Sequence, residues 1–401
     1  MWICRRRSDV PTAGRTAAKQ NYAVVVCCVG VDCALANSGT TRFREYVEEK
    51  VKRKNMETLI RTMKGADPET AGIAARIWKE GGLVAFPTET VYGLGGNGLD
   101  ADASRKIYAA KARPSDNPLI LHIADEEQLK ELTPEITPMM RAAIDAFWPG
   151  PLTMIVPKTQ IIPYETTGGL ETVAIRMPSH PAAQCLLRAV QLPIAAPSAN
   201  RSGRPSPTNA SHVIEDMDGR IDMIIDGGDV GIGVESTIVD LTGKQPMLLR
   251  PGFITPQMLE QVLGSVAIDP AVYKQVSAAV HPKAPGMKYR HYAPKADMEI
   301  VEGSREAVAA YINQKLAAQP EKKIGILATD ENVKLYQGGF CESVGSHDSL
   351  AEVAHNLFRV LRDFDDAGVD MIYSESFSSQ GEGMAVMNRL MKAAGHHVVK
   401  V

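Results

Sequence analysis

From about residue 69 onward the apolar positions fall into short runs of alternating helical and extended spacing. Ile73, Ala74, Ile77 and Trp78 share one face of residues 69–81, which predicts a helix ended by glycines. The apolar run 83–86, stopped by Pro87, predicts a buried strand. The same reading gives helices over 101–111, 125–132, 137–147 and 180–190. Strands are expected at 118–123, 152–156, 172–177, 223–226, 236–241 and 247–250, and residues 194–197 lead into a loop rich in Ser, Asn, Gly and Pro. Strands and helices that mix without strict alternation predict an α/β domain built on a mixed, twisted sheet.

The pattern weakens near Asp269. Residues 284–294, APGMKYRHYAP, carry no useful period and are bracketed by prolines, which marks a linker. Beyond it, 298–301, 304–316, 323–328, 349–364, 371–373 and 382–394 alternate strand and helix, the signature of a smaller doubly wound, Rossmann-like α/β domain with a parallel sheet. The expected division is residues 1–55 as an extension, 56–268 as the larger domain, 269–297 as linker and lid, and 298–401 as the C-terminal domain.

Charge separates the first segment from the rest. Of the 401 residues, the first 55 hold eleven Lys/Arg against five Asp/Glu, a net of +6, and with −3 overall the remainder stands at −9. That segment opens Met1-Trp-Ile-Cys-Arg-Arg-Arg and carries the apolar stretch 22–32, in the order of a weak secretory signal, although Asp32 interrupts it. Organised periodicity begins only after Met56, so the expectation is an artefactual or disordered extension with Met56 as the start. A targeting segment and a structured arm are the alternatives. The acidic remainder excludes a uniformly basic nucleic-acid coat but not a local basic groove. No apolar run reaches 18 residues. Six cysteines without a CxxC pair predict neither a disulfide scaffold nor a zinc site, and the expected metal set is none. The isolated Cys185 and Cys341 fit a reducing, cytoplasmic setting.

Five segments could carry chemistry. PTETVYGLG, residues 87–95, follows a buried strand, and its Thr88, Glu89 and Thr90 with flexible glycines read either as a polar-ligand loop or as an ordinary glycine-rich turn. It is not a dinucleotide fingerprint, and no GxxxxGK[ST] exists. Lys111 and Arg113, two residues apart at a helix end and followed by Asn117, suit either C-terminal capping or a polyphosphate. His122 inside an apolar strand is either a satisfied core residue or a ligand. Arg176 ends an apolar strand and needs an anionic partner, from the protein or from a ligand. Pro197–Thr208, dense in hydroxyls, amides and cations, is a solvated loop or an anion nest.

Taken in order, PTETVYGLG, KARPSDNPLILHI, PGPLT, VAIRMPSH, PSANRSG, VESTIVD, LLRPG and APGMKYRHYAP resemble the YrdC-like L-threonylcarbamoyladenylate synthases in their long, two-domain form. The resemblance covers residues 56–401 and is strongest over 83–252 and the linker. It implies formation of threonylcarbamoyl-AMP, pyrophosphate and water from L-threonine, bicarbonate or CO2, and ATP. Mg²⁺ would accompany the ATP. The product would pass to a separate threonylcarbamoyl transferase complex that modifies tRNA, with no membrane involved. The family's KxR…SxN signature falls on Lys111, Arg113, Ser198 and Asn200, which the resemblance implies are catalytic. ATP would be bound by Arg113, Asn117, Thr172, Ser198, Ser206 and Arg250, with the linker's Tyr289, Arg290, His291 and Tyr292 folding over it. Threonine would be surrounded by Thr90, His122, Arg176, Ala196 through its backbone, and Ser236. On this reading an alanine at Lys111 abolishes turnover with little change in thermal midpoint.

Three other readings compete with it. A double-stranded-RNA-binding module would use Lys111, Arg113, Arg201 and Arg204 on phosphates, and the chain's acidity weakens it. A carbamoyl-transfer enzyme of the hydrogenase-maturation type would need an acylphosphatase-like domain and zinc-type cysteine clusters, which the sequence lacks. A generic ATP-binding scaffold is the third.

Overall fold

Eleven strands make up the larger sheet: β1 (Leu59–Thr62), β2 (Val84–Phe86), β3 (Gly93–Asn97), β4 (Ile120–His122), β5 (Leu152–Pro157), β6 (Thr172–Arg176), β7 (Ile194–Ala195), β8 (Met223–Asp226), β9 (Thr237–Asp240), β10 (Met247–Arg250) and β11 (Ala267–Ile268). Their spatial order is β1-β8-β2-β3-β7-β4-β6-β5-β9-β10-β11, and the pairings are mixed: β4 with β6 is parallel, whereas β5 with β6 and β2 with β3 are antiparallel. The computed structural model describes residues 57–274, 282–287 and 291–401. The expected extension over 1–55, Tyr289 and Arg290 lie outside the described residues.

Helices cover the faces of this sheet: α1 (Pro68–Lys79), α2 (Ala101–Lys111), α3 (Glu126–Leu132), α4 (Pro138–Phe147), α5 (Tyr164–Thr167), α6 (Pro181–Val190), α7 (Ala210–Met217) and α8 (Pro256–Leu263). α1 starts where Asp67 accepts hydrogen bonds from the Glu69 and Thr70 amides, and it buries Ala71, Ala74, Ala75 and Trp78. That is the face expected from its periodicity, except that Ile73 and Ile77 are only partly buried.

Three helices escaped the sequence reading. α7 lies within what reads as a loop, but Asn209 caps it, accepting from the His212 amide at 3.1 Å, and Ala210, Val213 and Met217 are buried. α5 and α8 span four and eight residues, too few for a period to show. The glycine-rich segment after Pro87 also departs from expectation. Gly93, Gly95 and Gly96 are not a flexible loop but lie in the buried strand β3. A Cβ at Gly95 would stand 2.7 Å from Ile194 Cγ2 and 2.9 Å from Phe86, so glycine is required there by packing rather than by mobility.

The second sheet holds β12 (Asp297–Glu302), β13 (Ile324–Ala328), β14 (Phe340–Ser343), β15 (Met371–Glu375) and β16 (Val398–Lys400), all parallel in the order β14-β13-β15-β12-β16. α9 (Arg305–Ala318), α10 (Leu350–Ala367) and α11 (Gly383–Ala393) make the crossovers, as a doubly wound unit requires. The two sheets belong to one compact unit, Glu57–Val401. One hydrophobic cluster shows why. Val91 and Val234 from loops of the larger sheet, and Tyr292 from the linker, pack with Leu357, Phe358 and Val386 of α10 and α11.

Candidate functional site

The site grows from one face of the larger sheet. Side chains two residues apart on a strand share a face, so Ile120 with His122 and Ala174 with Arg176 point to the same side. The apolar members Ile120, Ile155, Ala174 and Ile238 are covered by Ala284 of the linker. The polar members His122 and Arg176 end the parallel strands β4 and β6 side by side, and the pocket opens there. Carboxyl ends of parallel strands are where an α/β sheet leaves room for ligands.

Its floor is built around Arg176, which is 3% exposed. Nη1 donates to Thr90 Oγ1 at 2.8 Å and Nε donates to the Gly150 carbonyl at 3.3 Å. Nη2 lies 2.7 Å from Glu89 Oε1 in an ion pair, yet neither this nitrogen nor the Glu89 carboxylate makes an aligned hydrogen bond. Burial would raise the Glu89 carboxyl, but the charge of Arg176 outweighs it and holds the group below the usual carboxylate range. Thr90 is placed by a local turn in which the Thr88 hydroxyl accepts from the Thr90 and Val91 amides and donates to the Val91 carbonyl. His122 is pushed down to about 3 by burial and by Arg176, so its ring is neutral at pH 7.

A second wall comes from β9 and β10. Arg250, 5% exposed, donates from Nε to the Ser236 carbonyl at 3.0 Å and from Nη2 to Ser236 Oγ at 3.1 Å. Ser236 Oγ also stands 2.8 Å from Thr153 Oγ1. Burial lowers the Arg250 guanidinium to about 10, still charged at neutral pH. Gly252 allows this turn to close, because a Cβ there would sit 2.5 Å from the Thr237 amide.

The two cations at the end of α2 part company. Ala112 between them caps the helix in the left-handed conformation, φ 52°, and the chain turns. Arg113 lines the pocket, held by the Asn117 carbonyl at 3.3 Å and the Pro118 carbonyl at 3.1 Å. Lys111 turns away from the pocket lining. Its buried ammonium donates to the Ser198 and Asn200 carbonyls and lies 3.4 Å from Asn200 Oδ1. Ser198 Oγ donates to the same Oδ1 at 2.5 Å. Lys111 and Asn200 thus shape the loop that presents Ser198.

Of the residues singled out in the sequence, Thr90, Arg113, His122, Arg176, Ala196, Ser198, Ser236, Arg250, His291 and Tyr292 line one cavity of about 50 Å³. Lys111, Asn117, Thr172, Asn200 and Ser206 stand outside its lining. Thr172 is four residues from Arg176 along β6, about 13 Å. Asn117 is buried with its Oδ1 unpartnered. Ser206 donates to Glu235, which does line the pocket and which the sequence offers only within VESTIVD. His291 is half-buried, with its Nε2 buried and unpartnered, and desolvation together with Arg113, Lys392, Lys111 and Arg250 drives it far below its ordinary value.

The lining therefore carries three guanidinium groups and two neutral imidazoles against the single carboxylate of Glu235, an arrangement made for anions. It is poorly made for a metal. Glu89 and Glu235 are each committed to an arginine, and among the described residues no group of three or more His, Cys, Asp or Glu side chains is placed to hold an ion. No helix among the described residues is long and apolar enough to cross a membrane.

Arg389 and Lys392 of α11 are the contributors the sequence reading missed. Arg389 is fully buried and pairs with Glu235 at 2.9 Å. A usable signal existed: Arg389 falls on the apolar face of α11, four residues after Ala385 and four before Ala393, where an unpaired cation is too costly to keep.

The chain is similar to known proteins over both of its sheets. A family model described as "Telomere recombination" matches residues 76–252, and one described as "Threonylcarbamoyl-AMP synthase, C-terminal domain" matches 254–395. The threonylcarbamoyl-AMP synthase of Pyrococcus abyssi is 51% identical over 82% of this chain and 95% of its own length. That of Bacillus subtilis is 50% identical over 83% and 95%. A crystal structure of P. abyssi Sua5 complexed with L-threonine superimposes with a TM-score of 0.81 at 49% identity, covering 86% of this chain and all of the other. The chain belongs to the two-domain threonylcarbamoyl-AMP synthase family.

Proposed function

We propose that the protein is an L-threonylcarbamoyladenylate synthase, which joins L-threonine, bicarbonate or CO2, and ATP to give threonylcarbamoyl-AMP, pyrophosphate and water. The observation that carries this reading is the stacking of two anion sites in one pocket. At the floor, the Arg176 guanidinium, paired with Glu89, lines the cavity beside Thr90 and His122. Above it, Arg113, Arg250 and the neutral His291 face the same space. A carboxylate below and a polyphosphate above fit that order, and the P. abyssi relative is described with L-threonine bound.

In this reading Arg176 takes the threonine carboxylate, and Thr90, His122, Ser236 and the Ala196 backbone complete its surroundings. Bicarbonate takes up a proton and loses water to give CO2; the free amine then adds to CO2 and gives up a proton, which balances the one taken up, leaving a carbamate. A carbamate oxygen then attacks the α-phosphorus of ATP, a new O–P bond forms, and the bond to the bridging oxygen breaks as pyrophosphate leaves. Arg113 and Arg250 offset the charge that builds on the phosphoryl oxygens. Ser198, Asn117, Thr172, Ser206, His291 and Tyr292 enclose the nucleotide, while Lys111 and Asn200 hold the Ser198 loop in place. ATP enters as its Mg²⁺ complex, the ion arriving with the substrate. Residues 56–268 carry the chemistry and 269–297 the lid. A cavity of about 50 Å³ holds a few waters, far less than the several hundred Å³ of a typical ligand pocket, so Pro285, Gly286, His291 and Tyr292 move aside to admit the substrates. Their return excludes the water that would destroy carbamate and mixed anhydride. The product is handed to a threonylcarbamoyl transferase complex for tRNA modification in the cytoplasm.

A double-stranded-RNA module is disfavoured because two of its four cations are already used. Lys111 is buried on backbone carbonyls, and Arg204 pairs with Glu215 at 2.7 Å and with Asp216. Pyrophosphate release from ATP should need both threonine and bicarbonate, and ¹³C-bicarbonate should add one mass unit to the adenylated product. Equal release without threonine overturns the assignment.

A further inference from the structure

The pocket's cover is held mainly from the other sheet. Helix α11 presents Arg389 and Lys392, three residues apart and therefore on one face. Arg389 donates from Nε to Glu235 Oε2 at 2.9 Å, from Nη2 to the Glu235 carbonyl at 3.3 Å, and from Nη1 to the Pro251 carbonyl at 2.6 Å. Its guanidinium carbon lies 5.6 Å from the centre of the Tyr292 ring, whose other neighbour is Phe358 of α10, stacked at 5.1 Å. The Lys392 ammonium donates to the Gly286 carbonyl. Gly286 adopts φ +85°, and a Cβ there would stand 3.2 Å from the Tyr292 hydroxyl, so both ends of the described lid meet at this point.

We infer that Arg389 and Lys392 are positioning residues that latch the lid: through them the C-terminal domain fixes Glu235 and the 251 turn on one side, and Gly286 and Tyr292 on the other, over the adenylation pocket. Neither residue lines the cavity, so neither is a catalytic group. The division of labour follows from the contacts. Arg389 joins two pocket walls and lies against Tyr292, while Lys392 grips the backbone of the lid's first half. The inference rests on the synthase reading for its enzymatic consequences but not for the latch itself, which is a property of the protein without substrate.

The test uses the full chain and two variants, Lys392→Met, which keeps the stem and removes the donor, and Arg389→Lys, which keeps the charge and removes the fork. Hydrogen–deuterium exchange without substrate should show amides of residues 283–287 and 291–293 exchanging about tenfold faster in Lys392→Met, with α1 and α6 unchanged. With substrates, KM for ATP should rise several-fold while kcat falls less, and pyrophosphate should be released in excess over intact threonylcarbamoyl-AMP. Arg389→Lys should show the same pattern, more strongly; if it does not fold, Lys392→Met alone decides. Unchanged lid exchange in a folded Lys392→Met protein overturns the latch. Accelerated lid exchange in a protein that makes no adenylate would leave the latch standing and overturn the synthase reading instead.

Discussion

Arg176 and Lys111 show how burial decides what a cation does. Both are nearly inaccessible, at 3% and 1% exposure, but Arg176 lines the cavity while Lys111 stands behind it and spends its donors on carbonyls. Arg176→Lys should therefore retain a positive charge and lose the planar fork, raising KM for threonine by about 10²-fold with a smaller effect on ATP; steady-state kinetics with each substrate varied will check this. Lys111→Met should cost about 1–3 kcal/mol of folding stability, because the Ser198 and Asn200 carbonyls lose their donor. The motif-based expectation of an unchanged thermal midpoint for an alanine at 111 is thus reversed by geometry, and urea denaturation distinguishes the two outcomes. The carboxylates set an acid limit. Glu89 and Glu235 both sit below their ordinary 4.5, burial being outweighed by Arg176 and Arg389 respectively. A depressed carboxylate contributes stability that is complete above its unfolded value and is lost as pH falls through its folded value. Stability should accordingly hold from neutrality to about pH 5 and fall below 4.5. The gap between wild type and Glu235→Gln should narrow over that same acid range, as denaturation midpoints taken across it will show.

Single turns control where whole elements deliver their side chains. The end of α2 is the clearest instance, since Ala112 at φ 52° sends Lys111 behind the pocket and Arg113 into it. A left-handed alanine costs about 1–2 kcal/mol that glycine escapes. Ala112→Gly should raise the thermal midpoint by a few degrees without moving either cation, measurable by calorimetry alongside unchanged KM for ATP. The spacing of the KxR motif was legible in the sequence, but the divergence of its two cations was not, because it depends on one residue's backbone basin. The same holds for residues 87–97, where glycines that read as a flexible loop form β3 because Ile194, Phe86 and Trp78 press against them. Elements with a full period, such as α1 and α10, were readable within a few residues, whereas α5, α7 and α8 were too short or too embedded in polar sequence.

The two sheets are tied by charges that neither could bury alone. Arg362 of α10, 1% exposed, meets Asp216 at 2.7 Å and Glu215 at 3.0 Å, and Arg389 of α11 meets Glu235. Removing one member of such a pair typically costs about 3–5 kcal/mol. Asp216→Asn should therefore destabilise the whole of residues 57–401, and calorimetry should give one cooperative transition for that unit in wild type rather than two. Separate transitions for the two sheets would show that the buried pairs do not couple them. Local period, turn chemistry and ordered motifs were enough to reveal the two α/β sheets and the family. The sequence by itself also marked most of the residues around the pocket. Only the tertiary structure decided that Lys111 and Asn200 stand behind the cavity, that Glu235 and α11 belong to its walls, and that the C-terminal unit grips the lid. Those outcomes depend on contacts between segments 87 to 154 residues apart, where desolvation requires each charge to find a partner that no local pattern specifies.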